Sequence, residues 1–299
     1  MLPVFEKLLP YKITFHSVRL PLTDLHYMKY GTGKPLIIFP ATISRLHNWT
    51  NLLQFMGDKF TSYFFELPGH GGSSSFRVPF KSELVARTFA DFADYLKLET
   101  VNVMGFSFGG ILTLKTVMAY PERVRSLILF APCVSYKAVR FSQNRMAVLR
   151  SLLPLISKTQ VQKLLLRTAH NEKTVNLLID FLKFIGHLER TMEIRNTLLK
   201  LPADTLNTVI AEIREILTVD FAQEDWSRAG KIPLYFGMSV NDPLLDFQFT
   251  LDFLKSKFNN FKSTSFDFPF HQLPKEYDYQ YLKKNMGGLL RSLDQGISG

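Results

Sequence analysis

Two hydrophobic rhythms alternate along this chain. Short, nearly unbroken apolar runs lie at residues 35–39, 62–67, 101–105, 124–131, 232–237 and 263–268. Runs of that length suit strands buried on both faces. Ahead of them, residues 13–20 and 25–30 are rich in β-branched and aromatic side chains. Pro21 and Asp24 lie between these two stretches, so a hairpin is expected. Between the later runs, residues 82–96 carry apolar positions at helical spacing, and Ser82 suits a helix cap. Residues 109–119 read as a second helix that stops before Pro121. Strands alternating with helices imply a mostly parallel sheet covered on both faces.

The rhythm changes between Tyr136 and Thr218, where no strand pattern occurs. Helical spacing runs through residues 146–155, 160–166, 174–185 and 205–217. The chain therefore divides into a core domain, residues 1–135 and 219–299, interrupted by a helical insertion at 136–218.

Composition narrows this picture. A chain of 299 residues can bury a full core without disulfides or metals. Cys133 is the single cysteine, which excludes an internal disulfide and fits a reducing compartment. It reads as a small buried apolar residue. The first residues show no basic segment followed by a long apolar run, and no stretch reaches the ~18 apolar residues that span a bilayer. A soluble, cytoplasmic protein is the expectation, with contact at a membrane surface left open.

The formal net charge is +10. No zinc-finger spacing, RNA-binding signature or basic zipper accompanies it, so nucleic acid is not an expected partner. Between Tyr136 and Lys200 twelve basic residues face four acidic ones, so most of the excess lies in the insertion. A solvated helix surface explains that charge most simply. The alternative is a face that attracts an anionic membrane surface or an acidic acyl carrier.

The chemistry concentrates at Gly105-Phe-Ser-Phe-Gly109, a G-x-S-x-G motif between a buried strand and an apolar helix. Such a turn is sharp, and Gly105 and Gly109 supply the room it needs. It presents Ser107 above the sheet and aims the backbone N–H of Phe108 toward a developing oxyanion. A serine hydroxyl needs a base, and the order serine, acid, histidine is required here. Asp242 follows the strand at 232–237, and His271 follows the strand at 263–268. Both stand at strand C-terminal ends, where sites form in parallel sheets. Asp246 is the nearest rival acid; Asp242 lies closer to the strand end. The histidines His16, His26, His47, His70, His170, His187 and His271 show no paired ligand spacing, so neither a metal site nor a cofactor is expected. His170 and His187 read as ordinary residues of the insertion.

With these residues in view, the chain resembles capped serine hydrolases of the α/β-hydrolase superfamily, of the esterase and lipase kind. The likeness runs over nearly the whole length. It rests on Gly31-Thr-Gly33, residues 35–39 with Trp49 downstream, Leu67-Pro-Gly-His-Gly-Gly-Ser73, the serine motif, Pro121-Glu-Arg-Val124, residues 232–243 and Phe270-His271. The resemblance implies an α/β-hydrolase fold and a helical cap over Ser107 that selects substrate. Family members usually carry His-Gly after the third strand. Pro40-Ala41 stands there in this chain, which makes Thr42 the second oxyanion donor. Glu66 replaces a more usual Asp and is expected to be structural. His70 orders its loop and is not read as a base. Serine at the turn separates this chain from haloalkane dehalogenases and epoxide hydrolases of the same fold, which use Asp. The expected function is hydrolysis of a carboxylic ester with an apolar or acyl group. The alternatives are a thioesterase or carbon–carbon bond hydrolase with the same triad, or a non-catalytic hydrolase-fold ligand-binding protein.

Overall fold

The computed structural model describes residues 12–156, 159–168, 171–185, 191–271, 278–284 and 286–288. The N-terminal segment, His170 and His187 lie outside the described residues, as do Lys158, Glu189 and Arg190 of the insertion.

An eight-stranded sheet organises the chain. Its strands are β1 (Thr14–Arg19), β2 (Asp24–Tyr30), β3 (Lys34–Phe39), β4 (Phe60–Phe65), β5 (Val101–Phe106), β6 (Val124–Phe130), β7 (Leu234–Ser239) and β8 (Phe261–Phe266). The spatial order is β1-β2-β4-β3-β5-β6-β7-β8. β1 and β2 form the expected hairpin, and β2 pairs antiparallel with β4. All remaining neighbours are parallel. Parallel strands need crossover connections, and these place helices on both faces.

Side-chain alternation builds two cores. Ile37 and Phe39 of β3, with Val101 and Val103 of β5, face a cluster completed by α2 (Ser82–Tyr95), α3 (Phe108–Ala119) and α9 (Phe247–Lys257). Leu36, Ile38, Met104 and Phe106 face the other way. There they meet Leu52, Phe55 and Met56 of α1 (Thr50–Gly57), with Leu282 and Met286. Every residue of β5 and β7 is buried, because both surfaces of the central strands are covered.

Between β6 and β7 the described residues form α4 (Gln143–Ile156), α5 (Thr159–Thr168), α6 (Glu172–Ile185), α7 (Thr191–Lys200) and α8 (Ala203–Thr218). The chain leaves and re-enters the sheet at one neck. Ser135 bridges Asp220, Tyr136 N–H donates to Val219 O at 2.7 Å, and Lys137 pairs with Asp220 at 2.8 Å. α8 returns onto the core, where Thr205 Oγ1 donates to Gly69 O at 2.6 Å.

Several sequence expectations need correction. β4 ends at Phe65 rather than residue 67, because the Glu66 carboxylate turns to cap nearby loop amides. β8 spans Phe261–Phe266 rather than 263–268, because the Phe268 backbone bonds the Ser239 side chain instead of a strand. Ser82 does not cap α2. It is the first helical residue, and its N–H donates at 3.0 Å to Glu215 Oε1 from α8. A carboxylate from another helix thus meets the positive end of α2. Helices α1, α7 and α9 add to those expected from the sequence.

Among the described residues no helix is long and apolar enough to cross a membrane. No group of three or more His, Cys, Asp or Glu among them is arranged to hold a metal.

Candidate active site

The site begins where β5 turns into α3. Ser107 takes φ +53° and ψ −114°, a region most L-residues avoid. Three backbone hydrogen bonds hold it there. Its N–H donates to Phe130 O at 3.1 Å, and its carbonyl accepts from Gly110 N at 2.9 Å and Cys133 N at 3.1 Å. The motif glycines are sterically required. A Cβ on Gly105 would strike Thr113 Oγ1 and the Gly109 carbonyl, and one on Gly109 would sit 2.5 Å from Phe39 O. Cys133 is buried beside this turn, and burial pushes its thiol up to about 12, which leaves it inert.

Phe108 is the first residue of α3, so its N–H has no intrahelical acceptor and stays available. Thr42 follows β3 in a turn whose next residue, Ile43, holds φ +55°. The end of β3 packs on the start of α3: the missing Cβ of Gly109 is what lets Phe39 O and Pro40 O approach.

The three residues expected to act together meet in the structure. His271 Nε2 lies 2.7 Å from Ser107 Oγ, and His271 Nδ1 lies 2.8 Å from Asp242 Oδ2. With its proton on Nδ1, the imidazole donates to Asp242 and accepts from the serine hydroxyl, so one tautomer satisfies both contacts. Asp242 is fully buried, and its other oxygen accepts from Leu244 N at 2.8 Å and Leu245 N at 2.9 Å. Asp246 goes elsewhere. It caps α9, accepting from Phe249 N at 2.8 Å.

Two features that the sequence reading did not single out hold His271 and Asp242 in place. Ser239 Oγ donates to Phe268 O in a short contact and accepts from Phe268 N and Asn241 N. Asn241 Nδ2 reaches Asp267 Oδ1 at 2.6 Å. The loop bearing Asp242 is thus stapled to the loop bearing His271. Beneath them runs a ladder of phenyl rings, Phe106–Phe130–Phe266–Phe268–Phe270, with successive centroids 5.3–6.1 Å apart. It joins the residue before Ser107 to the residue before His271. The excess of phenylalanine hinted at such packing, but ring partners from three segments distant in sequence have no sequence signature.

Glu66 and His70 lie outside this relay. Glu66 accepts from Leu46 N at 3.1 Å and Gly72 N at 2.6 Å, tying the loop after β3 to the loop after β4. His70 is 2% exposed, and neither ring nitrogen has a hydrogen-bond partner among the described residues. Its Nε2 lies 3.7 Å from Glu212 of α8. Burial pushes His70 down to about 4; the nearby Pro68 carbonyl opposes that, and the Arg45 charge adds to it. Burial, and then the neighbouring Glu215, push Glu212 well above the usual carboxylate range. Burial therefore disfavours the charged form of both groups.

Comparison with known proteins bears on the fold and the family. A stretch of 97 residues is 35% identical to a poly(3-hydroxyalkanoate) depolymerase of Ectopseudomonas oleovorans, covering 32% of this chain and 34% of the relative. A stretch of 117 residues is 27% identical to a pimeloyl-acyl-carrier-protein methyl ester esterase of Salmonella heidelberg, covering 38% and 44%. Less than half of either relative is spanned. Among solved structures, a putative lipase from Acinetobacter baumannii superposes with a TM-score of 0.68 at 14% identity, over 95% of this chain and 93% of that one. That likeness speaks for the fold alone. The sequence model of the alpha/beta hydrolase fold family matches residues 34–229, well over half of the chain, and the protein belongs to that family.

Proposed function

We propose that this chain is a serine hydrolase that cleaves a carboxylic ester through an acyl-enzyme. The observation that carries the reading is the continuous hydrogen-bonded relay from Ser107 through His271 to buried Asp242. Ser107 Oγ attacks the ester carbonyl while His271 Nε2 takes its proton. Asp242 orients the imidazole and stabilises its charged form. The oxyanion receives the N–H groups of Phe108 and Thr42. Collapse breaks the bond to the alcohol, which leaves with the proton from His271. Water then repeats the sequence and frees the acid and Ser107.

Helices α4–α8 form the cap of this reading, with domain limits at 135/136 and 218/219 beside the neck. The depolymerase and esterase names of the relatives support ester chemistry. The basic excess of the cap, with Leu164 60% exposed on α5 and Leu177 72% exposed on α6, supports an anionic partner, either a membrane surface or an acidic acyl carrier. Attraction of that kind weakens with salt, so preferential binding to anionic over neutral vesicles at low salt tests it.

The catalytic reading is tested with p-nitrophenyl esters from acetyl to palmitoyl. Wild type turns over at least one, and Ser107→Ala lowers kcat by roughly 10⁴ while the circular dichroism spectrum is kept. Retention of more than a tenth of the rate in Ser107→Ala rejects it. No turnover of any ester, with specific ligand binding, leaves the ligand-binding alternative.

A further inference from the structure

A small cavity of about 180 Å³ opens between the loop after β3, the loop after β4 and the start of α8. Ile43, Ser44 and Arg45 line one side, His70 and Gly71 a second, and Leu201, Pro202 and Thr205 a third. It begins one residue beyond Thr42. Its walls are fixed: Glu66 joins Leu46 to Gly72, and Thr205 bonds Gly69. Ile43, a β-branched residue at φ +55°, is held in a conformation such residues rarely adopt.

The polar content of this cavity is one-sided. Arg45 is exposed at its rim, and among the described residues no ion pair or side-chain hydrogen bond engages it. His70 is buried in its wall with both ring nitrogens unpartnered. Two carboxyl groups stand near. The Glu66 oxygens are each occupied by a backbone N–H, and buried Glu212 lies 3.7 Å from His70 Nε2. The cavity therefore presents the Arg45 side chain at its rim and a buried imidazole in its wall, while the Glu66 carboxylate is held by backbone N–H groups. Unpaired buried polar groups of this kind fit a ligand that completes their hydrogen bonds. A planar carboxylate matches the guanidinium fork and leaves an oxygen for the ring N–H.

We propose that the Arg45–His70 cavity binds a carboxylate carried by the substrate, so that the preferred esters are half-esters of dicarboxylic acids or similar acid-bearing esters. This rests on the ester-hydrolase reading and names its substrate class. The cavity lining starts at Ile43, the residue after the proposed oxyanion donor Thr42. A short chain ending in carboxylate therefore spans the two, whereas a methyl-terminated chain leaves Arg45 and His70 unpaired.

The test compares monomethyl adipate with methyl hexanoate, which differ at the far end by a carboxylate in place of a methyl, at fixed ionic strength. Wild type should favour the half-ester in kcat/KM by about tenfold or more. Arg45→Ala should reduce that ratio by about tenfold, and Arg45→Lys should keep part of it. Separately, adipate itself should raise the Tm of Ser107→Ala but not of Ser107→Ala/Arg45→Ala. That arm needs no turnover, so it decides the cavity even where neither ester is cleaved and the hydrolase reading has failed. No preference in wild type, a ratio in Arg45→Ala within twofold of wild type, or equal stabilisation of both Ser107→Ala proteins by adipate overturns the proposal.

Discussion

Asp242 and Glu212 are both carboxyl groups with no exposed surface, and their surroundings differ completely. Asp242 accepts from Leu244 N, Leu245 N and His271, so both its oxygens are hydrogen-bonded and its position is fixed. Glu212 has neither oxygen hydrogen-bonded among the described residues, faces His70 at 3.7 Å, and is pushed toward its neutral form by burial. The first environment suits an anion that must stay charged while the imidazole beside it gains a proton. The second tolerates an acid only while it stays uncharged. One fold therefore keeps a saturated polar network beside Ser107 and an unsaturated one beneath α8. The saturated network sets geometry. The unsaturated one is where protonation or a ligand can change the energy.

Substitution of Asp242 should separate these regions most strongly. Asp242→Asn keeps the size and the contacts of Oδ1 but places an amide against His271 Nδ1, so kcat for ester hydrolysis should fall roughly 10⁴-fold. Asp246→Asn, which can still cap α9, should stay within about twofold of wild type. Equal losses in the two would remove the distinction drawn between Asp242 and its neighbour.

Removing the loop staple comes next. Ser239→Ala deletes the hydroxyl that holds Phe268 and Asn241, so Asp242 and His271 lose alignment rather than identity. A fall in kcat of about tenfold with KM little changed is expected. A change in KM alone would place Ser239 in substrate binding instead.

The buried pair beneath α8 should show itself in stability against pH. Glu212 has its folded pKa raised by burial and then by Glu215, so its contribution is present at low pH and is lost as pH rises above the ordinary carboxylate range. Glu212→Gln mimics the neutral acid, so the Tm difference of variant minus wild type should grow from pH 5 to pH 9. His70 acts in the opposite sense. Its pKa falls from 6.5 to about 4, so it destabilises the fold as pH drops through that window, by roughly 3 kcal/mol at most. A Tm difference for Glu212→Gln that is flat with pH would mean the carboxyl group is hydrated or paired.

Much of the fold was legible because each strand carries its own local signal. The alternating strands and helices, the helical insertion and the turn at Ser107 follow from period, Gly and Pro alone. Strand ends shifted by two residues at β4 and β8 because side chains of other segments, Glu66 and Ser239, compete for the backbone there. Ser82 looked like a cap until Glu215 arrived from 133 residues away. Ser107, Asp242 and His271 were readable from chain order and strand ends. The Ser239 staple, the phenyl ladder and the Arg45–His70 cavity were not. Each depends on how loops distant in sequence meet, and no period or motif encodes that meeting.

The central claim is that Ser107 is a nucleophile activated by His271. Fluorophosphonate labelling followed by peptide mass mapping addresses it most directly, because the phosphorus reagent is attacked as the ester carbonyl would be. A single adduct on the peptide containing Ser107, absent in Ser107→Ala and strongly slowed in folded His271→Ala, is the predicted result. No adduct on folded wild-type protein, or one on a different residue that survives in Ser107→Ala, would contradict it.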